Sequence, residues 1–112
     1  MVRSIPKGPF GYSFTYFPVN LGKLISPDEL SETTEILTFI EEKLRTKAHW
    51  AHQIINVGVA DEKLAKNLSV GVNTPLLVIE RDFYSESGSV MWASITHYRC
   101  DIYKYEMKLT RT

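Results

Sequence analysis

Arg81-Asp82-Phe83-Tyr84, followed by Ser85-Glu86-Ser87-Gly88 and then by the run from Ser89 to Tyr98-Arg99, is the stretch that decides how this chain folds. Gly88 is free to take positive φ and so centres a tight turn. The residues from Pro75 through Leu76-Leu77-Val78-Ile79 and those from Ser89 to Arg99 therefore read as two antiparallel strands of one hairpin. Counting by two along the second strand puts Trp92, Ser94, Thr96 and Tyr98 on one face. Beyond Cys100-Asp101-Ile102, the residues Tyr103, Tyr105, Met107 and Leu109 alternate with Lys104, Glu106 and Lys108. That pattern predicts a closing strand with one buried and one wet face.

Working upstream, Ala51, Gln53, Ile55, Val57 and Val59 share a face at period two, which predicts a strand ending near Ala60 with that face inward. Asp61 can cap the short helix Glu62 to Leu68, which turns Leu64, Ala65 and Leu68 inward, and Asn73-Thr74-Pro75 leads into the next strand. Ile36, Leu37, Phe39, Ile40 and Leu44 recur at helical spacing between Thr33 and Arg45, an amphipathic helix packed on a sheet. Ser26-Pro27-Asp28-Glu29 combines a capping hydroxyl, a proline at the first helical position and a carboxylate three residues after the cap, so a short helix should begin there. Tyr12, Phe14 and Tyr16 alternate with Ser13 and Thr15 in a strand from about Phe10 to Phe17, stopped by Pro18. The sum is an α+β domain with a largely antiparallel sheet and flanking helices.

Composition limits what such a domain can do. The chain has 112 residues, 44% of them hydrophobic and 12% aromatic, enough for one globular domain with a modest core and no room for a second. Thirteen Lys and Arg balance thirteen Asp and Glu, whereas a domain that grips phosphates needs a clustered basic excess; this segment is not expected to touch DNA itself. No apolar run approaches the ~20 residues that span a bilayer, and the amino end lacks a signal-peptide pattern, so a cytoplasmic protein with no membrane partner is expected. Cys100 is the sole cysteine and cannot form an internal disulfide. His49 and His52 would point to opposite sides of an extended chain, which leaves no metal site. His97 points away from Cys100 on an extended segment, so the thiol is expected to be buried or idle, without a base to activate it. Gly8-Pro9-Phe10-Gly11 lacks the lysine and the helix of a nucleotide loop. No catalytic set and no cofactor are expected.

From about Tyr12 to Arg111 the chain resembles the UTRA domain, the effector-binding half of HutC-type regulators in the GntR family. The pieces that carry the resemblance are Tyr16-Phe17-Pro18, Ile40-Glu41-Glu42-Lys43-Leu44, the Ala60-Asp61-Glu62 to Leu68 helix and Thr74-Pro75-Leu76-Leu77. Arg81 with Tyr84, Gly88, Tyr98-Arg99 with Asp101 and Tyr103, and Leu109-Thr110-Arg111 complete the set. The resemblance implies a chorismate lyase-like fold, a small-molecule pocket beside the sheet, and a separate winged helix-turn-helix domain for DNA. It also implies that residues 1–112 form one effector-binding and dimerisation domain without its amino-terminal part or that DNA-binding domain. Members often carry two arginines, one residue apart, that hold an effector's phosphate or carboxylate. Here Arg3 matches the second, and Met1 stands in place of the first. Where members often have a carboxylate after the hairpin turn, this chain has Trp92, which disfavours a sugar phosphate and points to a flatter organic acid, aromatic or acyl in type. Glu35 stands where some relatives place a ligand-binding serine, but a first-turn glutamate is accounted for by the helix dipole.

The candidate effector residues are accordingly Arg3, Trp92, Ser94 and Tyr98, with Tyr16, Thr96, Arg99 and Tyr103 as secondary candidates. Each has a structural reading beside it. Tyr98 and Trp92 suit a core, Arg3 suits a solvated chain end, and Arg99 suits a pair with Asp101 that fixes a turn. The leading function is a small-molecule sensor within a homodimeric transcription regulator, since such proteins read two half-sites about a two-fold axis. A chorismate lyase-like enzyme and a ligand-free dimerisation module are the alternatives.

Overall fold

Gly88 adopts φ +88° at a turn closed by two backbone bonds, Gly88 N–H to the Ser85 carbonyl and Ser85 N–H to the Ser89 carbonyl, both 2.9 Å. The computed structural model describes residues 2–5, 8–25 and 36–111, and the side chains of all of these except 2–5, 8, 9, 22 and 36. In chain order the elements are β1 (Val2–Ile5), β2 (Gly8–Tyr16), α1 (Val19–Gly22), α2 (Ile36–Leu44), β3 (Trp50–Val59), α3 (Glu62–Leu68), β4 (Pro75–Tyr84) and β5 (Val90–Arg99). Among the described residues the five strands form one antiparallel sheet in the order β1-β2-β5-β4-β3. The α+β architecture expected from the sequence is the one observed. The helix expected from Ser26-Pro27-Asp28-Glu29 and the position of Glu35 lie outside the described residues.

The two longer helices are fixed by contacts at their ends. Asp61 Oδ1 accepts from the Leu64 N–H at 2.8 Å, satisfying one of the donors that a helix leaves open at its start. Ser69 closes α3 in the left-handed region at φ 57°, and the Val70 N–H returns to the Ala65 carbonyl at 3.0 Å. Arg45 takes φ 54° after α2, the Thr46 N–H bonds to the Glu41 carbonyl, and Glu41 Oε2 accepts from the Ala48 N–H at 2.7 Å. That carboxylate ties the outgoing chain to the helix it has just left.

The helices build two cores on opposite faces of the sheet. On one, Leu64, Ala65 and Leu68 of α3 meet Ala60 and Leu76, with Tyr12, Phe14 and Val70 packed around them. The inward residues of this helix are those its sequence spacing predicts. On the other, Ile25 and Ile40 meet Met91 and Trp92, flanked by Phe17, Phe39, Leu44 and Phe83. Met91 and Trp92 enter the same cluster although they are consecutive in a strand. The ladder explains this: Phe83 pairs with Trp92 but Tyr84 pairs with Val90, so Met91 is an extra residue at a bulge that turns neighbouring side chains to one side.

Two expectations from period-two patterning are overturned. The face of β3 read as inward is largely in solvent, with Ile55 45%, Val57 71% and Val59 58% exposed. β3 is an edge strand that pairs with β4 on one side alone, and α3 with its core lies on the opposite face of the sheet. The closing strand expected over Tyr103, Tyr105, Met107 and Leu109 is irregular chain in the structure, with Met107 and Leu109 exposed. Alternation describes which face a strand would show, but a strand also needs an edge to pair with. The Arg99 carbonyl instead accepts from the Tyr103 N–H at 2.9 Å, turning the chain back over the sheet.

Candidate functional site

The strand register stacks side chains in rows across the sheet, and one face of those rows is a cavity wall. Val57, Leu77, Tyr98 and Gly11 oppose one another in the first row, and Ile55, Ile79, Thr96 and Ser13 in the second. Gln53, Arg81, Ser94 and Thr15 make the third, and Ala51, Phe83 and Trp92 the fourth. Above the middle of this face lies a cavity of about 240 Å³, with Leu37 of α2 at its far side. Because side chains alternate, the acidic neighbours of Arg81 in the chain, Glu80 and Asp82, belong to the other face.

Several polar groups in the wall are positioned by partners. The Ser13 and Thr96 hydroxyls are 2.9 Å apart in the buried second row. Arg81 donates from Nε to Gln53 Oε1 at 2.6 Å, and Gln53 donates from Nε2 to the Tyr105 hydroxyl at 3.0 Å. The glutamine thus joins the cavity wall to the irregular chain that crosses it. Trp92 is almost wholly buried and stacks on Phe83 with ring centroids 4.1 Å apart and planes 12° from parallel. Tyr98 stacks on Tyr103 at 3.9 Å and 11°. Burial pushes the Tyr103 phenol up, the neighbouring Tyr98 adds to this, and the Arg81 charge opposes it.

Gly11 makes this arrangement of tyrosines feasible. A Cβ at position 11 would sit 3.0 Å from Tyr98 Cδ1 and 3.1 Å from Cε1, so the ring lies across β2 only because no side chain stands beneath it.

The structure brings Trp92, Ser94, Thr96 and Tyr98 to one cavity, as their spacing suggests. Tyr103 lies against it through Tyr98. Two of the secondary candidates are placed elsewhere. Tyr16 pairs with Ala93, falls on the opposite face and is half exposed. Arg99 pairs with Leu76 on that same opposite face, donates to Asp101 from Nε at 3.0 Å and from Nη2 at 2.6 Å, and donates from Nη1 to the Leu68 carbonyl at 3.1 Å. The pair depresses the Asp101 carboxyl and raises the guanidinium by their shared hydrogen bond. Arg99 therefore ties the hairpin to the end of α3. For Arg3 the structure gives the backbone, opposite Gly11 in β1. Cys100, expected to be buried or idle, is exposed. Among the described residues no group of His, Cys, Asp and Glu side chains could hold a metal ion, and no helix is long and apolar enough to cross a membrane.

Sequence reasoning missed Ser13, Thr15, Leu37, Arg81 and Phe83 as cavity residues. Arg81 and Phe83 stand at the same two-residue spacing in β4 that singled out Trp92 to Tyr98 in β5, so the signal was present. Only the knowledge of which face of β4 meets that of β5 was lacking.

The fold is thus an antiparallel sheet with helices over both faces and a small cavity on one of them. Residues 1–104 match the UTRA domain family, and the chain belongs to it, the effector-binding domains of GntR-family transcription regulators. An HTH-type transcriptional regulator of Mycobacterium tuberculosis (strain ATCC 25618 / H37Rv), Rv0792c, is 24% identical over 106 residues, covering 93% of this chain and 39% of that protein. The chain thus spans about two-fifths of the length of the curated relative it matches. A GntR-family transcriptional regulator from Enterococcus faecalis V583 superposes with a TM-score of 0.82 at 18% identity, covering 96% of this chain and 76% of that one. The effector domain of PhnF from Mycobacterium smegmatis superposes with a TM-score of 0.74 at 17% identity over 92% and 62% of the two chains.

Proposed function

We propose that this chain senses a small organic acid for a cytoplasmic, homodimeric HutC-type regulator, and that the acid acts on DNA binding through a separate winged helix-turn-helix domain. The observation that carries the reading is the cavity over the sheet, where Trp92, Ser94, Thr96 and Tyr98 converge with an arginine. Apolar walls with a few placed polar groups are the usual make-up of a small-molecule site. Space left open beside Trp92 speaks against a ligand-free dimerisation module, whose aromatics would fill it. The relatives are regulators, and among the described cavity residues there is no carboxylate to serve a lyase; both support binding over catalysis. Effector binding would favour one arrangement of the paired domains, with leverage limited to its differential affinity for the two states. The exposed apolar strip Ile55, Val57 and Val59 on β3 supports self-association.

A thermal-shift screen against small carboxylates, aromatic acids, acyl compounds and phosphosugars tests this function. A ligand at ~100 times its Kd should stabilise the domain by about 2.7 kcal/mol. The expected result is a saturable shift with an organic acid that is weakened by Trp92→Ala and Tyr98→Phe. A panel without any shift would overturn the sensor reading.

A further inference from the structure

We propose that Arg81 is the anion-binding residue of the cavity, and that the ligand it selects is a monocarboxylate carrying one flat apolar group. The inference rests on the sensor reading and deepens it, because it moves the positive charge of the site from the chain start, where resemblance puts it at Arg3, to the centre of the sheet.

A guanidinium offers five N–H donors in a planar fork. Among the described residues the Nε–H of Arg81 is its sole hydrogen-bonded donor, spent on Gln53 Oε1. The Gln53 amide is itself oriented by its bond to the Tyr105 hydroxyl, so the guanidinium is held from one edge. Its two terminal nitrogens, the pair that meets a carboxylate side by side, are left for a ligand. Among the described cavity residues there is no carboxylate, and the adjacent Glu80 and Asp82 alternate to the opposite face. Among its described residues the cavity therefore presents a fixed cation amid neutral hydroxyls, and a bound anion is what would balance it.

Position and size set the rest of the ligand. Ser94 and Thr15 continue the Arg81 row across the sheet, so their hydroxyls flank the place a carboxylate would occupy. The next row, two residues along, is the parallel Phe83–Trp92 stack. Two strand residues advance roughly 6.6 Å, a spacing that suits a carboxylate at one end and a flat apolar body at the other. A dry cavity of about 150 Å³ holds benzene, so the 240 Å³ here admits one ring with its acid group.

Titration calorimetry on the 112-residue chain decides the matter, with benzoate, phenylacetate and hexanoate as acids, benzamide and phenylacetamide as neutral shape-mates, and inorganic phosphate and glucosamine 6-phosphate as the other anions. The expected result is that at least one acid binds, its amide binds about tenfold more weakly or worse, and phosphate does not compete. Arg81→Gln should remove that discrimination while circular dichroism stays as in the wild type, and Arg81→Lys should restore part of it, since lysine keeps the charge without the fork. If Arg81→Gln fails to fold, the acid-to-amide ratio of the wild-type chain still decides for or against a cationic site. An acid bound equally well by Arg81→Gln, or an amide bound as well as its acid, would overturn the assignment and leave the sensor reading standing. Binding of the phosphosugar alone would do the same. Failure of every probe, followed by failure of the wider thermal-shift panel, would overturn both.

Discussion

At the scale of single residues, the absence of a side chain at position 11 is as specific a feature as any group in the cavity. Tyr98 can lie across β2 only over a glycine, and a methyl group 3.0 Å from its ring must push the ring away. Gly11→Ala should cost about 1–3 kcal/mol by overpacking and weaken effector binding more than Tyr98→Phe does, because it moves the whole ring instead of deleting one hydroxyl. Urea denaturation and ligand titration of the two variants check this. On the opposite face, burial pushes the His97 imidazole below its ordinary 6.5, against the opposing pull of Asp61 and Glu80. Above pH 6.5 neither the folded nor the unfolded chain protonates this group and its neutral form costs nothing. As pH falls through 6.5 the unfolded chain takes up the proton first, so stability declines until the lower folded-state value is reached. Melting temperatures between pH 7.5 and 5 should fall less steeply for His97→Gln than for the wild-type chain.

At the scale of elements, what the sequence made legible was whatever is decided locally. The α3 cap, its inward Leu64, Ala65 and Leu68, and the Gly88 turn all depend on residues within a few positions of one another, and all are as expected. Asp61→Ala should therefore cost about 1 kcal/mol, measured as a shift in denaturation midpoint with an unchanged slope. The shared face of Trp92, Ser94, Thr96 and Tyr98 was legible for the same reason. β3 and the 103–109 segment were misread because burial of a strand face and existence of a strand are decided by neighbours distant in sequence. Ile55 and Val57 obey the alternation of a half-buried strand, yet lie at the rim of the sheet. Met107 and Leu109 obey it too, with no edge beneath them. Arg81 was legible as a motif residue, but its place in the cavity follows from the Arg81↔Ser94 pairing, which no local pattern encodes.

At the scale of the whole molecule, the protein is a slab of 42 × 41 × 23 Å, and β3 with Ile55, Val57 and Val59 makes an exposed apolar rim of it. Val57→Lys should leave the stability of the dilute chain within about 0.5 kcal/mol, as for an ordinary surface change, and should lower self-association in sedimentation equilibrium. Sedimentation identical to that of the wild-type chain would count against self-association through this rim. The two tryptophans sit at contrasting places in this slab. Trp92 is 2% exposed within the cavity wall, whereas Trp50 is half exposed on the rim, stacked on Tyr84 with centroids 4.0 Å apart. Indole emission shifts to the red as its surroundings become wetter, so one chain carries a blue emitter in its cavity wall and a redder one at its periphery. With Trp50→Phe the remaining light would come from the cavity alone, and the domain would announce its own occupancy without any added dye.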